Sequence, residues 1–304
     1  MQKSHRRNPQ LMKAAPYYST LVATMIFGAK IYGWFLTDSV AMLASLVDSM
    51  LDVSSSTLNI FAMNISLRPP DDKHRFGYEK VEDLAIFSQS IFFLASGMFA
   101  LASSVKRFFL PHELSEMSVG INVMLFSIGL TVILLTYQNF VINRTASRIV
   151  MADKLHYLMD LLTNLAVLIS IYLGTKFIII DTLIGFAIAC YIIYNSYKMF
   201  KSAFNNLIDR EFDEENKNKV ISIISKFHSQ VSAIHELKTR YAGNKPFIQF
   251  HMEVDGNMRL VNVHEIIEKI INDLSDEFPG AEIIIHADPQ GIVEEGQGYR
   301  QIIS

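Results

Sequence analysis

Two pairs of potential metal ligands recur at the same spacing in two apolar segments of the chain. Asp48 and Asp52 are four residues apart, and so are His156 and Asp160. On an α-helix, residues four apart lie on one face, about one turn from each other. Three carboxylates and one imidazole can surround a divalent cation tetrahedrally, which suits Zn²⁺ and admits Fe²⁺, Co²⁺, Cd²⁺ or Mn²⁺. We therefore predict one metal site built from these four side chains.

The apolar surroundings explain why these acids need a cation. Both segments are long enough to cross a bilayer, where an ionised carboxylate costs on the order of 2.5–3.5 kcal/mol. A single acid could be a snorkelling end residue or part of an interhelical hydrogen bond, but two pairs in two segments are better explained by a shared cation. His156 adds coupling to protons, because imidazole binds metal only when it is neutral. Cys190 is the only cysteine, which argues against a thiolate site for Cu(I).

The overall hydropathy of the chain favours a membrane protein. Half of the 304 residues are apolar, and the mean hydropathy is +0.25. Windows of about 19 residues predict six membrane helices. These lie near residues 14–36, 40–66, 83–109, 117–142, 151–173 and 177–200, with a tight hairpin between the last two at Gly174–Lys176.

The distribution of basic residues predicts the orientation. Basic side chains concentrate before the first span and in the loops after the second and fourth spans. They are Lys3, Arg6, Arg7, Lys13, Arg68, Lys73, Arg75, Lys80, Arg144, Arg148 and Lys154. By the positive-inside rule, and with an even number of spans, we expect both termini in the cytoplasm.

The composition becomes that of a soluble domain after about residue 205. We predict two domains, a transmembrane domain over 1–205 and a cytoplasmic domain over 206–304. The second shows helix, strand, strand, helix and strand patterns, which is typical of a small α+β layer. They cover residues 213–229, 233–242, 245–254, 260–278 and 281–288, and a polar tail is expected from about Gly291.

Several stretches together resemble the cation diffusion facilitator family, in particular its bacterial zinc and ferrous-iron efflux branch. They are SVAMLASLVDSMLDVSSS, DDKHRFGYEKVEDLA, MADKLHYLMD and HADP. The resemblance runs from the first span to about Pro289. It implies a homodimeric antiporter of divalent metal ions and protons in the bacterial inner membrane, with six membrane helices and a metallochaperone-like, ferredoxin-like cytoplasmic domain. The matching motif positions assign Asp48, Asp52, His156 and Asp160 to the transport site.

The loop DDKHRFGYE is a second candidate site. It places Asp71 and His74 close together on the cytoplasmic side. The resembling branch has a metal site there, made of an Asp, a His three residues on and a second His four residues later. Here the last position is Tyr78, and a phenol is a poor zinc ligand at neutral pH. A weak metal site and a solvated charged loop therefore both stand as interpretations.

Histidines of the soluble domain form a third candidate site. His286 and Asp288 are two apart on a predicted strand and so share a face, while His235 and His251 fall on the two other predicted strands. In the resembling family the matching positions bind a pair of metal ions bridged by an Asp, near contacts with the partner subunit. The resemblance thus implies a regulatory or dimer-stabilising Zn²⁺ or Fe²⁺ site, with His264 as an auxiliary candidate.

These features predict a secondary transporter that exports Zn²⁺ or Fe²⁺ in exchange for protons by alternating access. No enzymatic activity and no organic cofactor are expected. A membrane metalloenzyme would need an open metal position and a general base, and no further Glu or His accompanies the four ligands. A metal sensor would leave the intramembrane charges unexplained. Nucleic acid is not expected as a partner, because the net charge is −3 and no basic run carries interleaved aromatics.

Overall fold

The computed structural model describes residues 8–37, 40–109, 117–173, 178–291 and 301–302. Within these residues the chain divides into two compact units. One contains the chain as far as Phe204, and the other contains the chain from Asn205 onward. Lys3, Arg6 and Arg7, and the predicted hairpin at Gly174–Lys176, lie outside the described residues.

Six long helices make up the first unit in the part of the chain that the structure describes. They are α1 (Pro9–Thr37), α2 (Val40–Ser66), α3 (Lys80–Phe109), α4 (Met117–Thr145), α5 (Arg148–Leu173) and α6 (Ile178–Leu207). Each has 26 to 30 residues and is therefore about 39 Å long or more, enough to cross a hydrocarbon core of about 30 Å. The six helices predicted from hydropathy are confirmed.

The outer surface of this unit is apolar. Phe35, Phe99 and Ile133 are 80%, 76% and 66% exposed, and large exposed apolar surfaces mark contact with lipid or with a partner. By length and composition alone, three described helical segments qualify as membrane spans. They are Pro9–Leu36, Lys80–Ala102 and Ile121–Thr145.

The second unit is a mixed sheet covered by two helices. Its elements are α7 (Glu214–Ser225), β1 (Ala233–Ala242), β2 (Lys245–Val254), α8 (Leu260–Glu277), β3 (Glu282–Pro289) and β4 (Gln301–Ile302). The strand order is β3-β2-β1-β4, with β1 and β2 antiparallel and β2 and β3 parallel. The predicted α+β order of helices and strands is confirmed.

The two faces of this sheet differ sharply in chemistry. Alternate residues of a strand point to opposite faces, and Ile248, Phe250 and Met252 of β2 join the apolar core formed with α7 and α8. The intervening positions, which include His251 and Glu253, therefore lie on the face away from the helices. The polar site residues of this unit occupy that second face.

The C-terminal segment differs from the predicted polar tail. Gln301 and Ile302 form β4 and pair antiparallel with Ile234 and Ala233 of β1. The edge of β1 presents backbone N–H and C=O groups that need partners, and a two-residue strand supplies them whatever its side chains are. Composition alone therefore could not indicate this strand.

The approach of α3 to α6 depends on a glycine. A Cβ atom at Gly97 would lie 2.9 Å from side-chain carbons of both Ile192 and Ile193. We expect Gly97→Val to destabilise the helical unit by about 1–3 kcal/mol, because the added carbons cannot fit without displacing α6. Thermal unfolding of the detergent-solubilised protein, followed by loss of its monodisperse elution peak, measures this effect. Gly129→Val is the matched control, since nothing lies within 4 Å of a Cβ there. Equal losses in both variants would contradict the prediction.

Candidate metal centres

The intramembrane candidate site lies between α2 and α5. His156 Nε2 is 3.0 Å from Asp52 Oδ1 and 3.5 Å from Asp160 Oδ2. Ligand atoms of these three residues all lie within 4.8 Å of one another. The three side chains are largely buried, with 12%, 16% and 29% exposure for His156, Asp52 and Asp160. The structure therefore brings together three of the four predicted ligands.

These distances suit a tetrahedral cation. With metal–ligand bonds of about 2.0–2.1 Å, two ligand atoms of a tetrahedral Zn²⁺ are about 3.3 Å apart. The two separations around His156 Nε2 fall on either side of that value. These two separations are thus within a few tenths of an ångström of the tetrahedral value.

Asp48 is placed differently from its three companions. It is exposed and lies one turn before Asp52 on the same face of α2. Among the described residues, it does not belong to the group of ligand atoms within 4.8 Å. The next residue, Ser49, accepts a 2.6 Å hydrogen bond from Lys30 Nζ of α1. Asp48 as the fourth ligand stays a prediction.

The imidazole of His156 is oriented by a neighbouring ring. Phe93 of α3 stacks on it, with ring centroids 4.5 Å apart and planes only 11° from parallel. The stacked phenyl leaves Nε2 facing the two carboxylates. The metal-binding edge of His156 is therefore held toward α2 and away from α3.

A buried polar cluster that the sequence did not indicate lies beside this site. Asp153 of α5, 3% exposed, accepts hydrogen bonds from Ser19 Oγ (2.6 Å), Asn59 Nδ2 (2.9 Å) and Gln138 Nε2 (2.8 Å). These donors belong to α1, α2 and α4. The only sequence signal was an acid one helical turn before His156 in an apolar span.

The cytoplasmic candidate site is a row of three imidazoles across the sheet. His235, His251 and His286 occupy matching positions on β1, β2 and β3. Asp288 Oδ2 lies 3.3 Å from His235 Nε2 and 2.9 Å from His251 Nδ1, while Asp288 Oδ1 lies 3.1 Å from His286 Nε2. All four predicted residues are therefore brought together, with the two carboxylate oxygens facing different histidines.

The environment of His235 fits a metal ligand. Its side chain is fully buried, and neither ring nitrogen makes a hydrogen bond within the described part of the chain. A buried polar group without a hydrogen bond is costly, and a metal ion bound with His251 and Asp288 would satisfy one of these nitrogens. His264 lies exposed on α8, which packs on the opposite face of the sheet.

Glu253 belongs to the same surface and was missed by the sequence reasoning. It pairs with Asp288 across β2 and β3, is fully buried, and has Oε1 3.8 Å from His235 Nδ1. A signal was present, since His251–Glu253 repeats in β2 the His-x-acid spacing of His286–Asp288 in β3. The face therefore carries a row of histidines followed by a row of acids.

The loop site is closed by internal hydrogen bonds. Asp71 accepts from the hydroxyl of Tyr78 (2.6 Å) and from the backbone N–H groups of His74 (2.7 Å) and Lys73 (2.9 Å). These bonds, with the Tyr78 hydroxyl first, lower the pKa of Asp71 to about 2. His74 Nδ1 is 3.4 Å from Asp71 Oδ1. The carboxylate of Asp71 is thus satisfied by three hydrogen bonds within the loop, and Asp71 and His74 as metal ligands stay a prediction.

We expect Tyr78→Phe to raise the pKa of Asp71 from about 2 toward 3.8, the ordinary value. A pKa below that of the unfolded chain means that the bond stabilises the loop above about pH 4 and loses this effect as the pH falls toward 2. NMR titration of carboxyl-labelled protein in detergent measures the shift. Tyr17→Phe on α1 is the matched control and should change nothing. An unaltered titration in Tyr78→Phe would show that the hydroxyl does not set the pKa.

Comparison with known proteins places both units in one family. Residues 17–208 match the cation efflux transmembrane domain, and residues 212–290 match the cytoplasmic domain of cation efflux proteins. The chain therefore belongs to the cation efflux family, the cation diffusion facilitators, whose members are transporters. The resemblance seen in the sequence is confirmed.

Individual relatives cover nearly the whole chain. Protein p34 of Rickettsia rickettsii is 51% identical over 97% of both chains. The cation-efflux pump FieF of Serratia proteamaculans is 36% identical over 96% of this chain and 97% of its own. The metal-bound C-terminal domain of the CzcD transporter from Thermotoga maritima is 28% identical and covers 27% of this chain and all of that domain, with a TM-score of 0.25.

Proposed function

We propose that this cation efflux protein exports Zn²⁺ or Fe²⁺ from the cytoplasm in exchange for protons. Cd²⁺, Co²⁺ and Mn²⁺ are further cargo candidates for the same ligand set. The transport domain comprises residues 1–205, and residues 206–304 form the cytoplasmic domain. Both termini face the cytoplasm of a bacterial cell, with the helices in its inner membrane. The FieF relative, named as a cation-efflux pump, supports the direction of transport.

The observation that carries this proposal is the Asp52–His156–Asp160 group. Two carboxylates and an imidazole converge within 4.8 Å in the helical unit, where ionised groups are expensive. Their separations suit a tetrahedral cation, and Asp48 supplies the fourth ligand after a change of rotamer. The hard oxygens and single nitrogen suit Zn²⁺ and Fe²⁺ better than Cu(I).

Proton exchange follows from the chemistry of the same ligands. His156 must be neutral to bind metal, and the acids must be ionised. Binding of a cation therefore releases protons, and protonation of the site releases the cation. Transport results when the site opens alternately to the two sides of the membrane.

Asp52→Ala should abolish metal uptake, because the three remaining ligands, Asp48, His156 and Asp160, cannot complete a tetrahedral set. The assay is uptake of Zn²⁺, and of Fe²⁺ under anaerobic conditions, into proteoliposomes with an imposed pH gradient. Asp276→Ala, at an exposed position on α8, is the matched control and should transport at the parent rate. His156→Asp should change the order of metal preference, since it replaces the single nitrogen ligand by oxygen.

Three results would overturn the transport proposal. Uptake by Asp52→Ala at more than a tenth of the parent rate would remove the site from the pathway. Equal rates of uptake with and without the pH gradient would exclude proton exchange. Binding of Zn²⁺ without uptake of any tested metal by the parent protein would favour a sensor.

The cytoplasmic site is proposed to hold a resident divalent ion, or two, and to join two copies of the chain as a homodimer. His235, His251, His286 and Asp288 are the ligands, and Asp288 can bridge two ions because its oxygens face different histidines. The ion would supply a rigid cross-link between strands β1, β2 and β3. The match to the cytoplasmic domain of cation efflux proteins supports this role.

His251→Ala should remove the cytoplasmic ions, because His251 is the middle member of the row. Isothermal titration of the full chain with Zn²⁺, in an Asp52→Ala background, measures the number of ions bound per chain. This number should fall in His251→Ala by the number of ions that the cytoplasmic site holds. His228→Ala, an exposed histidine just after α7, should titrate like the parent. Light scattering in detergent should show a larger monomer fraction in His251→Ala, and a parental stoichiometry there would contradict the site.

A further inference from the structure

Polar residues form three successive contacts between α2 and α5, which run antiparallel. Asp52, Ser56 and Asn59 lie along one face of α2 at helical spacing. Asp52 Oδ1 meets His156 Nε2 at 3.0 Å, Ser56 Oγ meets the Tyr157 hydroxyl at 2.8 Å, and Asn59 Nδ2 donates to Asp153 Oδ1 at 2.9 Å. We call these three contacts the α2–α5 ladder.

In two of the three contacts, the side chains satisfy each other by hydrogen bonds and need no cation. In the Asn59–Asp153 pair a neutral donor meets a carboxylate, and in the Ser56–Tyr157 pair two hydroxyls share a hydrogen bond. Only at the level of Asp52 do two carboxylates converge on a single imidazole. The candidate cation site is thus the one level of the ladder at which two carboxylates share a single imidazole.

The Asp153 end of the ladder is anchored to three other helices. Ser19 of α1 and Gln138 of α4 both donate to Asp153 Oδ2, at 2.6 and 2.8 Å. Gln89 of α3 donates to Asn59 Oδ1 at 2.8 Å. Ser19, Asn59 and Gln138 are fully buried. A carboxylate held by donors from three directions has little freedom to turn or to slide along the helix axis.

We propose that Asp153 is a positioning residue for cation binding, which fixes the rotation and axial register of α5 against α2. Asp153, His156 and Asp160 lie on one stripe of α5, so a helix fixed at Asp153 presents His156 and Asp160 to Asp52. Sliding α5 by one residue, a rise of 1.5 Å, would break the Asn59–Asp153 bond and misplace both ligands together. This role rests on the proposed function of the Asp52 site.

The test exchanges the two members of the Asn59–Asp153 contact. Asn59→Asp alone places two carboxylates against each other and should weaken Zn²⁺ binding 10- to 100-fold, the usual range for groups that orient metal ligands. Adding Asp153→Asn restores one carboxylate and one amide, and every donor of the cluster again finds an acceptor. This swap variant should bind Zn²⁺ within about threefold of the parent.

Zn²⁺ titration of the full chain in detergent, in a His251→Ala background that removes the cytoplasmic ions, measures these affinities. Bound Co²⁺ gives a second readout, because its visible absorption reports tetrahedral geometry. That absorption should fall in Asn59→Asp and return in the swap variant. If Asn59→Asp is not monodisperse, Ser56→Ala replaces it, with an expected loss of at least threefold.

Two results would overturn the positioning role of Asp153, and a third would count against the proposed transport site. Parental affinity in the single variants would overturn the positioning role. A swap variant as weak as Asn59→Asp would show that the negative charge must sit on α5, which also overturns it. Zn²⁺ binding that does not depend on Asp52 in this background would count against the proposed transport site and leave the ladder as packing alone.

Discussion

The dominant constraint on the helical unit is the convergence of two largely buried carboxylates on a single imidazole. Asp52 and Asp160 converge on one imidazole, His156, which carries at most one positive charge. Desolvation makes such a group unfavourable unless a cation joins it. The stacking of Phe93 on the imidazole and the packing of α2 against α5 serve to keep these ligands facing one another.

The two candidate metal centres bring potential ligands together on different scaffolds. In the helical unit, spacing of three or four residues places ligands on facing stripes of α2 and α5. In the cytoplasmic unit, strand register places His235, His251 and His286 in one row and Glu253 with Asp288 in the next. Between the helices this register depends on side-chain contacts, whereas a sheet fixes it through backbone hydrogen bonds. The proposed cargo site and the proposed resident-ion site therefore differ in what holds their ligands in register.

The sequence predicted the elements well because its signals there are local. Hydropathy located all six long helices, and alternation with turn residues located β1 and β2 at their observed bounds. The spacing of four residues also predicted that Asp52, His156 and Asp160 lie in one site, and their ligand atoms are within 4.8 Å of one another. The Asp153 cluster could not be predicted, because Ser19, Asn59 and Gln138 are scattered over three helices and no local pattern links them. β4 was missed because its pairing depends on the free edge of β1.

The number of neutral donors distinguishes Asp153 and Asp71 from the carboxylates of the proposed transport site. Asp153 and Asp71 each accept three hydrogen bonds from neutral groups, so their charge is balanced without metal. Among the described residues, the ion pairs of Asp52 and Asp160 are both with His156, while Lys30 adds a positive charge near Asp160. At the loop, the Tyr78 hydroxyl supplies one of the three hydrogen bonds to Asp71. Burial alone does not make this distinction, because Asp153 is more buried than either ligand and Asp71 is exposed. The proposed function therefore places cation binding at the acids that have few neutral hydrogen-bond donors among the described residues.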